Sequence, residues 1–255
     1  MKRFGFWTLG AIALLLAGCS GGLGQYMDPN DTANISANPD IMMRNIQDVR
    51  ERLNTRVRKG ELTPEEREAK IKKMTAEYVD LINPEDIRED NAWLFGDLFR
   101  DKGDWKKAYE LFDIARKSAK NEDRRVNDEL RFARCAAHLG KVDEALSAAK
   151  ATFKTTPPNK APILPAVLYE IVEEGRGKGK DLELAQLLET SITQHLETSV
   201  DPSTDAGKAF LAARKHHIEV AWSKVVDLYR SAGRMDLAKK AIQDADKVMA
   251  RYKQV

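Results

Sequence analysis

Residues 222–245, WSKVVDLYRSAGRMDLAKKAIQDA, carry the pattern that decides the fold. Apolar side chains recur every three or four residues before Gly233 and again after it, which is the spacing of two amphipathic helices. A glycine at the junction is typical of the end of a helix. The stretch therefore predicts a helical hairpin. Its facing positions are Trp222, Val225, Tyr229, Ala238, Ile242 and Ala245.

The same order of large and small residues occurs twice earlier in the chain. The first copy has Phe95, Gly96, Phe99, Gly103, Ala108, Phe112 and Ala115, and the second has Phe132, Ala133, Ala136, Gly140, Ala145 and Pro157. This pattern resembles the tetratricopeptide repeat (TPR). Over residues 85–255 the chain resembles bacterial TPR lipoproteins.

That resemblance implies a right-handed superhelix of stacked antiparallel hairpins with a concave groove that binds protein segments. Small residues such as Gly103 and Ala108 are expected at close helix–helix contacts. The family's groove positions correspond here to Trp93, Asp97, Arg100, Leu130, Arg134, Asp227 and Arg230, with Asp90, Asn127, Ala137, Val220 and Ser223 at the remaining offsets. Trp93 lies one place from the usual core tryptophan, so it faces either the groove or the helix–helix contact.

Helical patterns also fill the rest of the chain. Residues 41–82 predict a hairpin whose second helix starts at a capping box of Thr63 and Glu66. Asn83 gives the start signal of a third helix. Two more helices are expected at 162–173 and 182–196. No useful length of sequence alternates with the period of a strand, so the predicted fold class is all-α.

The predicted organisation has four parts. Residues 1–18 form a signal peptide, and 19–39 hold a lipidated cysteine and a flexible tether. Residues 40–83 form the N-terminal helical hairpin, and 84–255 form the TPR-like repeat domain.

The N-terminus has the features of a secretory signal. Lys2 and Arg3 precede an uncharged apolar run that is too short to span a bilayer comfortably. The run ends in Leu16-Ala17-Gly18-Cys19, which resembles the lipobox of bacterial lipoproteins and implies lipidation of Cys19. Ser20 after the cysteine implies an outer-membrane location facing the periplasm, or the cell membrane if the envelope has no outer membrane. The alternative is an uncleaved anchor with an incidental cysteine.

Composition excludes several classes of protein. The 255 residues include 42 Lys+Arg against 40 Asp+Glu, without the basic excess of a nucleic-acid-binding protein. With 42% hydrophobic residues the chain is too apolar to be disordered throughout. Two cysteines cannot form a disulfide framework. Cys135 has an apolar helical context, which favours a buried small hydrophobe over a nucleophile.

No catalytic motif is apparent. Gly175 to Lys180 is rich in glycine and lysine, but Glu174 and Asp181 occupy positions where a phosphate-binding loop needs Gly and Ser or Thr. It is interpreted as a flexible basic loop. Adjacent His216 and His217 point about 100° apart on a helix, which disfavours a shared metal. We expect neither an enzyme nor a cofactor or metal.

The leading hypothesis is a membrane-anchored envelope lipoprotein whose repeats bind another envelope protein or peptide segment as a scaffold or assembly adaptor. No nucleic acid or small-molecule substrate is expected. The alternative is a cell-wall or glycan-handling lipoprotein with a non-obvious catalytic or polymer-binding site. A basic stretch over residues 44–59 is interpreted as a solvated face, or alternatively as a contact with anionic lipid or polymer.

Overall fold

The computed structural model describes residues 38–153 and 163–252. The predicted signal peptide, Cys19, most of the tether and Pro157 lie outside these residues. The described residues are mostly helical and include no β-strand, which confirms the all-α fold class. The chain separates into two compact units, one ending at Gly103 and the other beginning at Asp104. This division falls inside the first predicted repeat, whereas the sequence predicts a boundary between residues 83 and 84.

The first unit contains three α-helices in its described part: α1 (Pro39–Arg58), α2 (Pro64–Val79) and α3 (Ala92–Lys102). Helix α1 begins at a cap by Asn38, and α2 begins at the predicted capping box, in which Thr63 and Glu66 bond each other's backbone N–H. Each of the three helices packs on the other two. Helices α1 and α2 thus form a helical hairpin.

The prediction that a third helix starts at Asn83 is wrong. Asn83 caps only a short 3₁₀ turn, Pro84–Asp86, after which Ile87 is extended and α3 begins at Ala92. The Asn91 side chain accepts from the Arg88 N–H at 2.7 Å and donates to the Asp86 carbonyl at 2.9 Å. These two hydrogen bonds satisfy backbone groups while the chain is in a loop conformation. The helical turn that begins after Asn83 therefore does not continue into a longer helix.

The second unit continues the series of helices. They are α4 (Trp105–Ser118), α5 (Glu122–His138), α6 (Val142–Phe153), α7 (Leu164–Ala166), α8 (Val172–Gly175), α9 (Asp181–Glu197), α10 (Asp205–Ser231) and α11 (Met235–Tyr252). A π turn, Val167–Ile171, joins α7 to α8, so residues 164–175 act as one helical segment. This segment and α9 are the predicted helix pair.

Successive helices of the second unit pack on each other as hairpins. Helix α5 packs on both α4 and α6, and α10 packs on both α9 and α11. Fully buried alanines lie at these contacts, including Ala108, Ala133 and Ala145. Cys135 is also completely buried, as expected for a small hydrophobe. The stacked hairpins share one continuous core.

Gly103, Gly140 and Gly233 occupy the glycine position of the repeat, where the sequence predicts a helix end at Gly233 and close packing at Gly103. All three glycines follow the end of a helix and have positive φ, at 95°, 78° and 72°. A Cβ at Gly140 or Gly233 would meet no described atom within 4 Å, so close packing does not require a glycine there. The left-handed conformation requires it, because a side chain in that region costs about 1–2 kcal/mol.

Replacing Gly140 tests this explanation. We expect Gly140→Ala to lower the free energy of unfolding by about 1 kcal/mol and Gly140→Asn to lower it less, because asparagine tolerates the left-handed region. Urea unfolding followed by circular dichroism measures both. If small size were the requirement, the larger asparagine would be the more harmful substitution.

Candidate functional site

The first helices of three successive hairpins in the second unit lie side by side. We call the surface that they share the A-helix face; it is formed by α5, the 164–175 segment and α10. Arg134 of α5 lies 3.4 Å from Glu170, and Lys224 of α10 lies 2.5 Å from Glu173. The carboxylates of one helix thus hold the cations of its two neighbours. These ion pairs fix the register of the three helices along the face.

An aromatic cluster supports Arg134 on α5. The rings of Trp105 and His138 stack with centroids 3.8 Å apart, and the Arg134 guanidinium lies 5.6 Å from the Trp105 ring. His138 Nδ1 lies 2.8 Å from a carboxylate oxygen of Glu174. Arg134 is therefore held by an aromatic ring and an ion pair in a defined orientation. Leu130, one turn earlier, is half-buried.

Tyr169 is the prominent apolar side chain of the A-helix face, and the sequence analysis missed it. It lies in the π turn, is 45% exposed, and packs edge-on against His217 with centroids 5.9 Å apart. The π turn lies between the buried residues Leu164 and Val172. No sequence signal announces a π turn, but Tyr169 does stand outside the apolar stripe of its helix. Exposed tyrosines are enriched at the centres of protein interfaces.

The predicted groove residues of the first unit fall into two groups. Trp93, half-exposed at the start of α3, and Asp90, in the preceding loop, line a cavity of about 410 Å³. Asp97 and Arg100 are instead joined by an ion pair of 2.8 Å, and the Asp97 side chain is almost fully buried. Arg100 also lies 3.1 Å from Asp101, which in turn pairs with Arg50 of α1 at 3.0 Å. Asp97 and Arg100 thus belong to a network that connects α1 to α3.

The last predicted set lies at the end of the chain. Ser223, Asp227 and Arg230 line an open groove of about 320 Å³ between α10 and α11, which we call the end groove. Its other lining residues are Glu219, Trp222, Val226, Ile242, Ala245, Asp246 and Met249. On the second copy Asn127 is exposed and Ala137 is buried. Within each unit, some of the predicted groove residues therefore lie next to each other, and they form several separate sets.

The basic loop after α8 is tied to a neighbouring helix. Lys178 Nζ donates to the carbonyls of Ala137 and His138 at 2.7 and 2.9 Å. These carbonyls lie at the C-terminal end of α5, where a helix leaves carbonyl groups unpaired and favours a cation. Gly177 N–H donates to Asp181 at 2.7 Å. The loop therefore caps the C-terminal end of α5.

A buried histidine lies where α9 packs on α10. His195 is completely buried, and neither of its ring nitrogens has a hydrogen-bond partner among the described residues. Its ring packs against Phe210 and His217, with centroids 4.9 and 5.8 Å away. Arg214 donates to the carbonyls of His195 and Leu196 at the end of α9. The position was available from the sequence, since His195 continues the stripe of Leu184, Leu188 and Ile192.

Burial governs the protonation of this histidine. Loss of hydration, and secondarily the nearby His217 and Arg214, lower the pKa of His195 to about 4. The pKa of His217 is also lowered, first by burial and then by His216. Both rings are therefore neutral in the folded protein near pH 7.

Two general properties of the described chain bear on function. No cluster of three or more metal-ligating side chains occurs in residues 38–153 and 163–252. Across the same residues no helix is long and apolar enough to cross a membrane.

Comparison with known proteins gives structural neighbours only. No family model and no characterised protein matches the sequence. A kinesin light chain-like protein of Podospora anserina with nearly identical TPR-like repeats is similar at 14% identity, covering 86% of this chain and 99% of that chain, with a TM-score of 0.46. BtubC of P. vanneervenii is similar at 14% identity over 96% of this chain and 93% of that chain, also with a TM-score of 0.46. TM-scores below 0.5 do not establish a shared fold family.

The buried histidine makes stability depend on pH. Because the folded pKa of His195 lies below its unfolded value of 6.5, the unfolded state binds more protons between pH 6.5 and about 4. The contribution of His195 to the free energy of unfolding is therefore fully present above pH 6.5. It is lost on acidification through this window and amounts to about 3 kcal/mol at most. We expect His195→Phe to reduce the loss of unfolding free energy between pH 7 and pH 4.5, measured by urea titration.

The matched control for this prediction is His216→Gln, because His216 is an exposed histidine on the neighbouring helix α10. It should retain the pH dependence of the unmodified protein. Equal pH dependence in His195→Phe and His216→Gln would contradict the assignment to His195.

Proposed function

We propose that this protein is an envelope lipoprotein that binds another protein through the A-helix face of its repeats. The observation that carries the binding role is the exposed Tyr169, which packs on His217 and belongs to the segment whose Glu170 and Glu173 pair with the two neighbouring helices. Tyrosine and arginine are among the residues enriched at interface centres, so an exposed tyrosine on this face favours a binding role. A rigid face also loses little conformational entropy when a partner binds.

The proposed anchor is a lipid on Cys19. The support comes from the sequence, in which a basic start, an apolar run and Leu16-Ala17-Gly18-Cys19 coincide. Ser20 supports an outer-membrane location facing the periplasm. In this arrangement the tether runs from Ser20 to the start of α1, and the repeats meet partners within roughly 25 Å of the membrane.

The partner is proposed to be an envelope protein or a peptide segment of one. The A-helix face presents cations and carboxylates that are already paired with each other, which suits a peptide-like surface better than a uniform polyanion. The protein is proposed to act as a scaffold or assembly adaptor, with no chemistry of its own.

Site-specific crosslinking tests the binding role. With a photoreactive phenylalanine in place of Tyr169, cells expressing the full chain should give a discrete crosslinked product after irradiation. Ile114 is the control position, because it is 40% exposed on α4, which is not part of the A-helix face. Equal products at both positions, or none at Tyr169, would show that the A-helix face is not the binding surface.

The anchor is tested separately. We expect Cys19→Ala to leave an unprocessed chain that takes up no radioactive palmitate, because the thiol is the site of attachment. The unmodified chain and a Cys135→Ser variant should both be labelled, since Cys135 is buried. Label in Cys19→Ala equal to that of the unmodified chain would refute the anchor.

A further inference from the structure

The end groove differs from the equivalent surfaces of the earlier hairpins. Ile242 on α11 corresponds in the repeat to Phe112 on α4 and Ala149 on α6. Those two residues are completely buried, whereas Ile242 is 41% exposed. On α4 the covering element is the next helix, α5. No described helix occupies the corresponding place on α11.

The docking of α5 on α4 shows what such a helix needs. Phe132 of α5 packs on the Tyr109 ring with centroids 4.7 Å apart and lies 4.0 Å below the Arg116 guanidinium. Glu129, three residues before Phe132, pairs with Arg116 at 3.3 Å. A large apolar residue and a charged residue three positions before it thus hold α5 against α4.

The charge at this position is reversed in the last hairpin. The residue of α11 that corresponds to Arg116 is Asp246, which lines the end groove and has no ion-pair partner among the described residues. The groove also holds Glu219 and Asp227, which lie 3.9 Å from Lys215 and 3.7 Å from Arg230. The unbalanced charge of the groove is therefore the carboxylate of Asp246.

We infer that the end groove binds an amphipathic helix of a partner protein, with an arginine or lysine three residues before a large apolar residue. This inference rests on the proposed scaffold function and names the chemistry of one partner. The helix takes the place on α11 that α5 takes on α4, and its cation pairs with Asp246 where Glu129 pairs with Arg116. The apolar residue covers Ile242.

The end groove also indicates the length of the partner helix and disfavours a second copy of this chain as its source. Its lining residues on α10 run from Glu219 to Arg230, a length of about 16 Å, which corresponds to three turns. Trp222 is nine-tenths buried in the groove wall, and its Nε1 donor has no acceptor among the described residues. A second copy of this chain is a poor occupant, because a two-fold contact would bring two Asp246 carboxylates together.

Two stapled peptides test the inference. Both have the sequence of residues 122–138 with Cys135→Ser, and one also carries Glu129→Arg; the staple keeps both helical before binding. Fluorescence anisotropy measures their binding to the full chain in detergent. We expect the Glu129→Arg peptide to bind about tenfold more tightly than the Glu129 peptide, as for one close charge pair. Asp246→Arg in the protein should reverse the order.

Two further variants locate the binding. Ile242→Glu should abolish it, and Asp236→Arg, on α11 outside the groove, should leave both affinities unchanged. Absence of binding by either peptide at about 1 mM, or a preference that Asp246→Arg does not alter, would overturn the inference. So would a dimer of the unmodified chain that Ile242→Glu dissociates, since a second copy would then fill the groove. Crosslinking at Tyr169 is independent of all these variants, so failure here leaves the A-helix face tested on its own.

Discussion

A two-helix hairpin cannot bury its apolar face alone, and this constraint governs the second unit. Phe132 illustrates it, because the residue is buried only where α5 packs on α4 and on α6. Helices inside the series, such as α5 and α10, therefore have two neighbours and depend on both. The buried alanines let these neighbours approach, and the glycines that follow the helices let the chain turn back at once.

Charged side chains in this stack of helices mainly fix the position of each helix along its neighbours. Arg134, Glu170, Glu173 and Lys224 form pairs between neighbouring helices, and all are partly exposed, so each pair contributes little to stability. The pairs act on geometry, since a shift of the 164–175 segment by one turn would break both of them. In the first unit the network of Arg50, Asp97, Arg100 and Asp101 has the same effect between α1 and α3. The two units thus use polar contacts to select one arrangement of helices that apolar packing alone would not distinguish.

Sequence patterns predicted much of the fold because they report local physics. The capping box at Thr63 and the apolar stripes of α9 and α10 depend on neighbouring residues only, so they could be identified without the structure. The features that were missed depend on residues far apart in the sequence or on alternatives of similar energy. The start signal at Asn83 gave only a 3₁₀ turn because Asn91 closes the loop after it. The network that holds Asp97 and Arg100 likewise depends on Arg50, which pairs with Asp101 from a helix far away in the sequence.

The π turn at Val167–Ile171 also changes how this helical segment can vary. A π turn is equivalent to an α-helix that has accepted one additional residue, with the excess confined to a single bulge. The helical pieces on either side therefore keep their own inward faces, Leu164 before the bulge and Val172 after it. Insertion of one residue would rotate the rest of an ordinary helix by about 100°. The π turn instead confines the additional residue to a single turn. The segment is thus the place in the repeats where the number of residues can differ between related chains while the core stays in phase.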